Sequence, residues 1–128
     1  MEHAVEIFAL VHLVILGVSH AVKHAAWSEL FVLLAKHGRS GVFFHGFLSL
    51  WFGSIVVGLH RVYSGPGLAL TLFGWLVTLK AAHCFCFPDA ALRSLRRVSV
   101  QTSWKFIPVG VVYMILACVV AYLVLTAS

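Results

Sequence analysis

The sequence predicts an all-α integral membrane protein in which four helices cross the bilayer as an antiparallel bundle. Three observations lead there. Of the 128 residues, 62% are hydrophobic and only 10% are charged, against roughly half and about 25% in soluble domains; the mean hydropathy is +1.02. The apolar residues also fall into four runs, at about 4–22, 41–60, 67–87 and 107–126. Each run is close to the ~20 residues that cross hydrocarbon as a helix, the conformation that pairs every backbone polar group within the segment. Finally, eight of the nine Lys/Arg lie at or near the junctions after the first and third runs, with Arg61 alone on the opposite side. That bias places both junctions in the cytoplasm. Both termini are then periplasmic, and a bacterial inner membrane is the expected location.

The first run opens with Glu2 and Glu6 and carries His12 in its middle, so it reads as a retained span and not as a cleaved signal peptide. After it, Trp27, Leu30, Phe31 and Leu34 recur at helical spacing, Lys36 lies near the end and Gly38 is placed as a C-cap. These features predict an interfacial helix at about 25–37. The second run leads into "YSGPG", where Gly65, Pro66 and Gly67 make an abrupt reversal, so the second and third spans should be neighbours. A second interfacial segment is expected at about 88–100. Pro88 and Asp89 suit a helix start, and Leu92 and Leu95 alternate with Arg93, Arg96 and Arg97. Those arginines are expected to meet the phosphates of anionic headgroups. The +5 net charge therefore points to lipid and not to nucleic acid. One transmembrane domain fills residues 1–128, and the plan of span, amphipathic segment and span occurs twice, with His20 and His83 at matching places. A homo-oligomer or a larger membrane complex is the expected assembly.

Chemistry in such a chain rests on ionisable side chains within the spans, which usually face the bundle. At 100° per residue, Glu6, Leu13, Gly17, His20 and His24 share one sector of the first span. In the second span His45, Ser49, Phe52, Gly53, Val56, His60 and Tyr63 do the same. By depth, His20, His45, Lys80, His83 and Cys84 should form a layer on the cytoplasmic side, with Glu6, His60, Arg61 and Tyr122 near the outer face and His12 at the midplane. Glu6, His12 and His60 are thus candidate stations on a proton or ligand pathway.

Imidazoles from separate helices at one depth suit a transition metal, with His20, His45, His83 and Cys84 as candidate ligands, or the iron of haem b. Two of His20, His45 and His83 could hold the haem, and a quinone could bind near His45 and Lys80. The bland alternative is that the histidines hydrogen-bond between helices or are wetted at the interface. In "CFC" the sulfurs of Cys84 and Cys86 point about 200° apart on a helix, which argues against a shared ion; both are expected to be thiols, and Cys118 a packing residue. Gly67, Thr71, Gly74 and Thr78 make a small-residue stripe that should face another helix, leaving Lys80 to snorkel or to line a polar layer. With four carboxylates, no HExxH and no phosphate-binding glycine loop, hydrolase chemistry has no support.

The four-span layout, together with "GVSH" at Gly17–His20, resembles the small bacterial DoxX-type membrane proteins. The likeness covers most of the length as topology. It implies a redox-accessory role, since some members are associated with quinone-linked thiol or sulfur oxidation. Three functions follow for comparison with the structure: a histidine-lined seam that binds or translocates a proton, metal ion or small ligand; a redox subunit holding haem b or a quinone; and a structural accessory subunit of a membrane complex.

Overall fold

The computed structural model describes residues 2–126, and among these it is helical with no strand. Four helices are long and apolar enough to cross a membrane. We label them α1 (Glu2–Val22), α3 (Arg39–Leu59), α4 (Gly67–Cys86) and α6 (Phe106–Thr126). Two shorter helices join them, α2 (His24–Lys36) and α5 (Pro88–Leu95), and a 3-10 segment at Val100–Lys105 leads into α6. The observed bounds agree with the expected runs to within about two residues. Pro88 does open α5, where its missing N–H costs nothing. Gly38, expected as the C-cap of α2, instead precedes α3 as its N-cap at φ 63° and ψ −136°, a positive-φ conformation that glycine adopts without strain, and His37 caps α2.

The buried face of α1 comprises Val5, Glu6, Ala9, Leu13, Gly17 and His20, which contains most of the sector found by helical periodicity. Along with Val56, Leu70, Leu116, Ala117 and Val120, its apolar members form the principal core. A second cluster, Val42, Cys84, Ala91 and Leu92, ties α5 to α3 and α4. Outward faces are as apolar as inward ones. Ile15, Leu76, Val112 and Ile115 are all more than half exposed, in keeping with helices long and apolar enough to cross a membrane.

In lipid, apolar burial does little to hold helices together, so close packing over small residues carries more of the load. The small-residue stripe of α4 performs this role as expected, and it faces α3. A Cβ on Gly53 would lie 2.8 Å from the Thr78 backbone nitrogen, and Thr78 turns its hydroxyl back to the Gly74 carbonyl at 2.8 Å. On the other side of the molecule α1 runs against α6, where a Cβ on Gly110 would sit 2.6 Å from the Gly17 carbonyl oxygen.

The order of span, short helix and span occurs twice, as α1–α2–α3 and α4–α5–α6. The dominant pairings are α1 with α6 and α3 with α4, so the spans of each half pack more closely on the other half than on each other. His20 is buried and His83 is exposed.

Arg39 at the start of α3 grips Asp89 at the start of α5 with two hydrogen bonds of 2.9 and 3.1 Å. By that hydrogen bond first and by charge second, the guanidinium holds the Asp89 carboxyl below its usual pKa. The contribution to stability should therefore be constant above the ordinary aspartate range and be lost as pH falls through the lowered value. Both side chains are well exposed, so the effect is small. The stability difference between wild type and Asp89→Asn, followed against pH, should shrink only under acid conditions; growth on acidification would contradict this pairing.

Candidate functional site

Two polar centres form, one at each end of the long helices. At the end carrying the α3–α4 turn, the His60 ring sits between Glu6 of α1 and Thr71 of α4. Its Nε2 lies 3.0 Å from Glu6 Oε1 and its Nδ1 lies 2.9 Å from Thr71 Oγ1. The Thr71 hydroxyl is also 2.7 Å from the Val62 carbonyl oxygen. All three side chains are buried, His60 completely. The abrupt turn after His60 makes this possible, because it returns the chain within a few residues and sets the first turn of α4 beside the imidazole.

The layer expected around Glu6 and His60 does bring these two side chains into contact. It does not include Arg61 or Tyr122, which are exposed. Thr71 is a member that sequence reasoning treated as packing alone. His12 stands apart: its Nδ1 lies 2.9 Å from the Phe8 carbonyl oxygen of its own helix, and its ring contacts are Phe8 and Phe52. Between the two ends lies the apolar core of Leu13, Val56 and Leu70, so Glu6, His12 and His60 do not line up as a continuous polar path.

At the basic end, His45 of α3 and Lys80, His83 and Cys84 of α4 line one cavity of about 250 Å³. Ala91, Ser94 and Leu95 of α5, Val98, and the rings of Phe31 and Phe106 complete it. Helical spacing explains the α4 contribution, since Lys80, His83 and Cys84 fall on one face at i, i+3 and i+4. Lys80 lines this cavity and is itself exposed, while the glycine–threonine stripe turns to α3. Phe31 meets His45 edge-on at 5.2 Å and stacks on Phe106 at 5.3 Å. Those rings supply flat apolar walls. Lys80 supplies a charged donor, the imidazoles supply donor or acceptor nitrogens, and Cys84 a buried thiol.

His20 does not join this group. Its Nδ1 lies within hydrogen-bond distance, 2.6 Å, of the Leu16 carbonyl oxygen, and its ring stacks on Trp27 at 4.0 Å. Trp27 in turn donates its indole N–H to Ser19 at 2.8 Å. Phe106, 6.0 Å from His20, and Phe31 stand between it and His45. Two aromatic rings thus separate His20 from His45, and the structure does not bring these two imidazoles together. His45 and His83 do line one cavity, of about 250 Å³.

The structure shows no assembled metal site for His20, His45, His83 and Cys84. Among the described residues, no three His, Cys, Asp or Glu side chains gather closely enough to hold an ion. His20 is withdrawn into its aromatic box. Cys84 is buried while Cys86 is exposed, so the two thiols diverge as the helical spacing required. Cys118 is exposed on α6, where packing inside the bundle was expected. Arg93, Arg96 and Arg97 are exposed beside α5, a placement open to headgroups.

Helical spacing did not reveal two further contacts at the basic end. His24 Nδ1 lies 2.9 Å from Ser103 Oγ, fastening α2 to the 3-10 segment, and Arg39 reaches Asp89 across 50 residues. No protein-family model, curated protein or solved structure matches the chain.

Proposed function

We propose that the chain is a four-helix antiparallel bundle of a bacterial inner membrane, with both termini periplasmic, whose cavity at the cytoplasmic side binds a small amphipathic ligand of the quinone class. One observation carries this proposal: Lys80, His45, His83 and Cys84 converge on a single cavity walled by the Phe31 and Phe106 rings. A quinone head is flat and carries carbonyl oxygens that only accept hydrogen bonds. Aromatic walls favour its ring, and an ammonium and imidazole N–H favour its oxygens. Clustered basic residues support the orientation, and the exposed Arg93, Arg96 and Arg97 in and just after α5 support a cavity at headgroup depth. The DoxX-type resemblance, with its quinone-linked members, agrees with this ligand class.

Binding is tested by titrating the protein in lipid nanodiscs with a short-chain ubiquinone analogue and following quenching of tryptophan fluorescence. A charge-assisted hydrogen bond contributes roughly 1.5–3 kcal/mol, and each 1.4 kcal/mol is about tenfold in affinity. Lys80→Ala and His45→Ala should each raise Kd about tenfold or more, while Cys118→Ala, on the exposed face of α6, leaves it unchanged. No saturable quenching, or equal Kd values in all four proteins, would overturn the proposal.

A further inference from the structure

The contacts around His60 fix how many protons its site holds. Thr71 has one hydroxyl hydrogen and four partners within reach, the Val62 carbonyl oxygen at 2.7 Å, His60 Nδ1 at 2.9 Å, and the longer Gly67 and His60 carbonyl oxygens at 3.3 and 3.5 Å. A carbonyl oxygen only accepts, so the short Val62 contact takes the Thr71 hydrogen. The bond between Thr71 and His60 is then made only when Nδ1 carries its own hydrogen and donates it to Thr71 Oγ1. Across the ring, Nε2 and Glu6 Oε1 stand 3.0 Å apart. Two bare lone pairs would repel at that distance, so a hydrogen lies between them too.

Glu6 and His60 together therefore hold two protons, one more than a carboxylate beside a neutral imidazole. The pair then has no net charge. With His60 fully buried and Glu6 7% exposed, a net charge of −1 would be costly in this place.

We infer that Glu6 and His60 form a binding site for one proton, and that the bound proton locks the α3–α4 turn through Thr71. Release of the proton leaves Nε2–H bonded to the Glu6 carboxylate and Nδ1 bare. The Thr71 hydroxyl then turns from Val62 to Nδ1, and the Val62 carbonyl loses its donor. Nothing else on the neighbouring elements compensates: on α1 Glu2 and His3 are exposed, as are Arg61 and Tyr63 in the turn and Tyr122 on α6. Among the described residues none of these is paired with Glu6 or His60, and α4 contributes only Thr71. The partly open edge of Glu6 is the route by which the proton exchanges. This site lies at the opposite end from the quinone-class cavity and does not rest on it.

The test is magic-angle-spinning NMR of the full chain, labelled with ¹⁵N-histidine and held in lipid nanodiscs, with the His60 signals assigned by their loss in His60→Gln. At neutral pH Nδ1 should carry a hydrogen. On alkaline titration that hydrogen should vanish while Nε2 keeps one, and in a sample carrying ¹³C-carbonyl valine the Val62 carbonyl signal should shift in the same step. In Glu6→Leu the step should disappear, because a neutral imidazole with hydrogen on Nδ1 keeps the Thr71 bond without a carboxylate. A bare Nδ1 at neutral pH overturns the inference, as does a hydrogen there that never leaves on titration. The wild-type titration decides by itself if the leucine variant fails to fold, and persistence of the step in a folded Glu6→Leu protein is equally fatal.

Discussion

His60→Ala should destabilise the folded protein by about 3–5 kcal/mol, the cost of removing one partner of a buried ion pair or its hydrogen-bonded equivalent. The imidazole is completely buried and bonds on both sides, to Glu6 and to Thr71. Truncation leaves the Glu6 carboxyl facing a cavity with no donor, and the group must take up a proton or remain charged in an apolar place. Thr71 suffers less, because the Val62 carbonyl still accepts its hydroxyl hydrogen. Replacing both members, as in Glu6→Leu with His60→Leu, should recover most of the loss, since apolar residues of similar volume often substitute for a buried pair at no net cost. Unfolding in mixed micelles with rising SDS measures wild type, Glu6→Leu, His60→Leu and the double variant, the four corners of that cycle, with His60→Ala beside them. A His60→Ala protein within 1 kcal/mol of wild type, or a double variant no better than the single one, would show that the contact contributes little to folding.

How much of this centre was legible in the sequence depends on which step is considered. The spans followed from run length, and the α3–α4 contact followed from "YSGPG", because so short a turn leaves the next helix nowhere else to go. The stripe at Gly67, Thr71, Gly74 and Thr78 correctly marked the α4 face that α3 covers. What periodicity cannot give is the partner of a polar side chain on another helix. Glu6 and His60 are 54 residues apart, and only their shared depth suggested that they belong together. Thr71 counted as a small residue for the same reason: helical spacing gives its face and not its bonds.

The layer at the basic end shows the opposite failure. Equal depth grouped His20 with His45, His83 and Lys80, yet depth fixes only one coordinate of three. Trp27 was assigned to the interface by its spacing on α2, whereas its ring covers His20 at 4.0 Å, and Phe31 and Phe106 close off the cavity beyond. The pairing of α1 with α6 had no signal in any connector, since the two helices are the most distant in the chain. A hint did exist in retrospect: Gly17 and Gly110 each stand alone among larger residues, as positions of close helix approach do.

That approach underlies the second large effect. Gly110→Val should destabilise the bundle by an amount at or above the top of the ~1–3 kcal/mol range for overpacking. A Cβ at this position would lie 2.6 Å from the Gly17 carbonyl oxygen and 2.8 Å from the Ala21 nitrogen. Both are backbone atoms, so no rotamer change relieves the clash and α1 must move away from α6. The displacement spreads, because α1 also carries Glu6 to its partner and Val5, Ala9 and Leu13 to the core. Gly58→Ala is the matched control: nothing lies within 4 Å of a Cβ there, and removing a helical glycine should raise stability by up to about 1 kcal/mol. Opposite signs for the two variants, measured by SDS unfolding in the same micelles, are what close α1–α6 contact requires. Wild-type stability in Gly110→Val would mean that the two helices have room between them, and the packing described for this pair would be wrong.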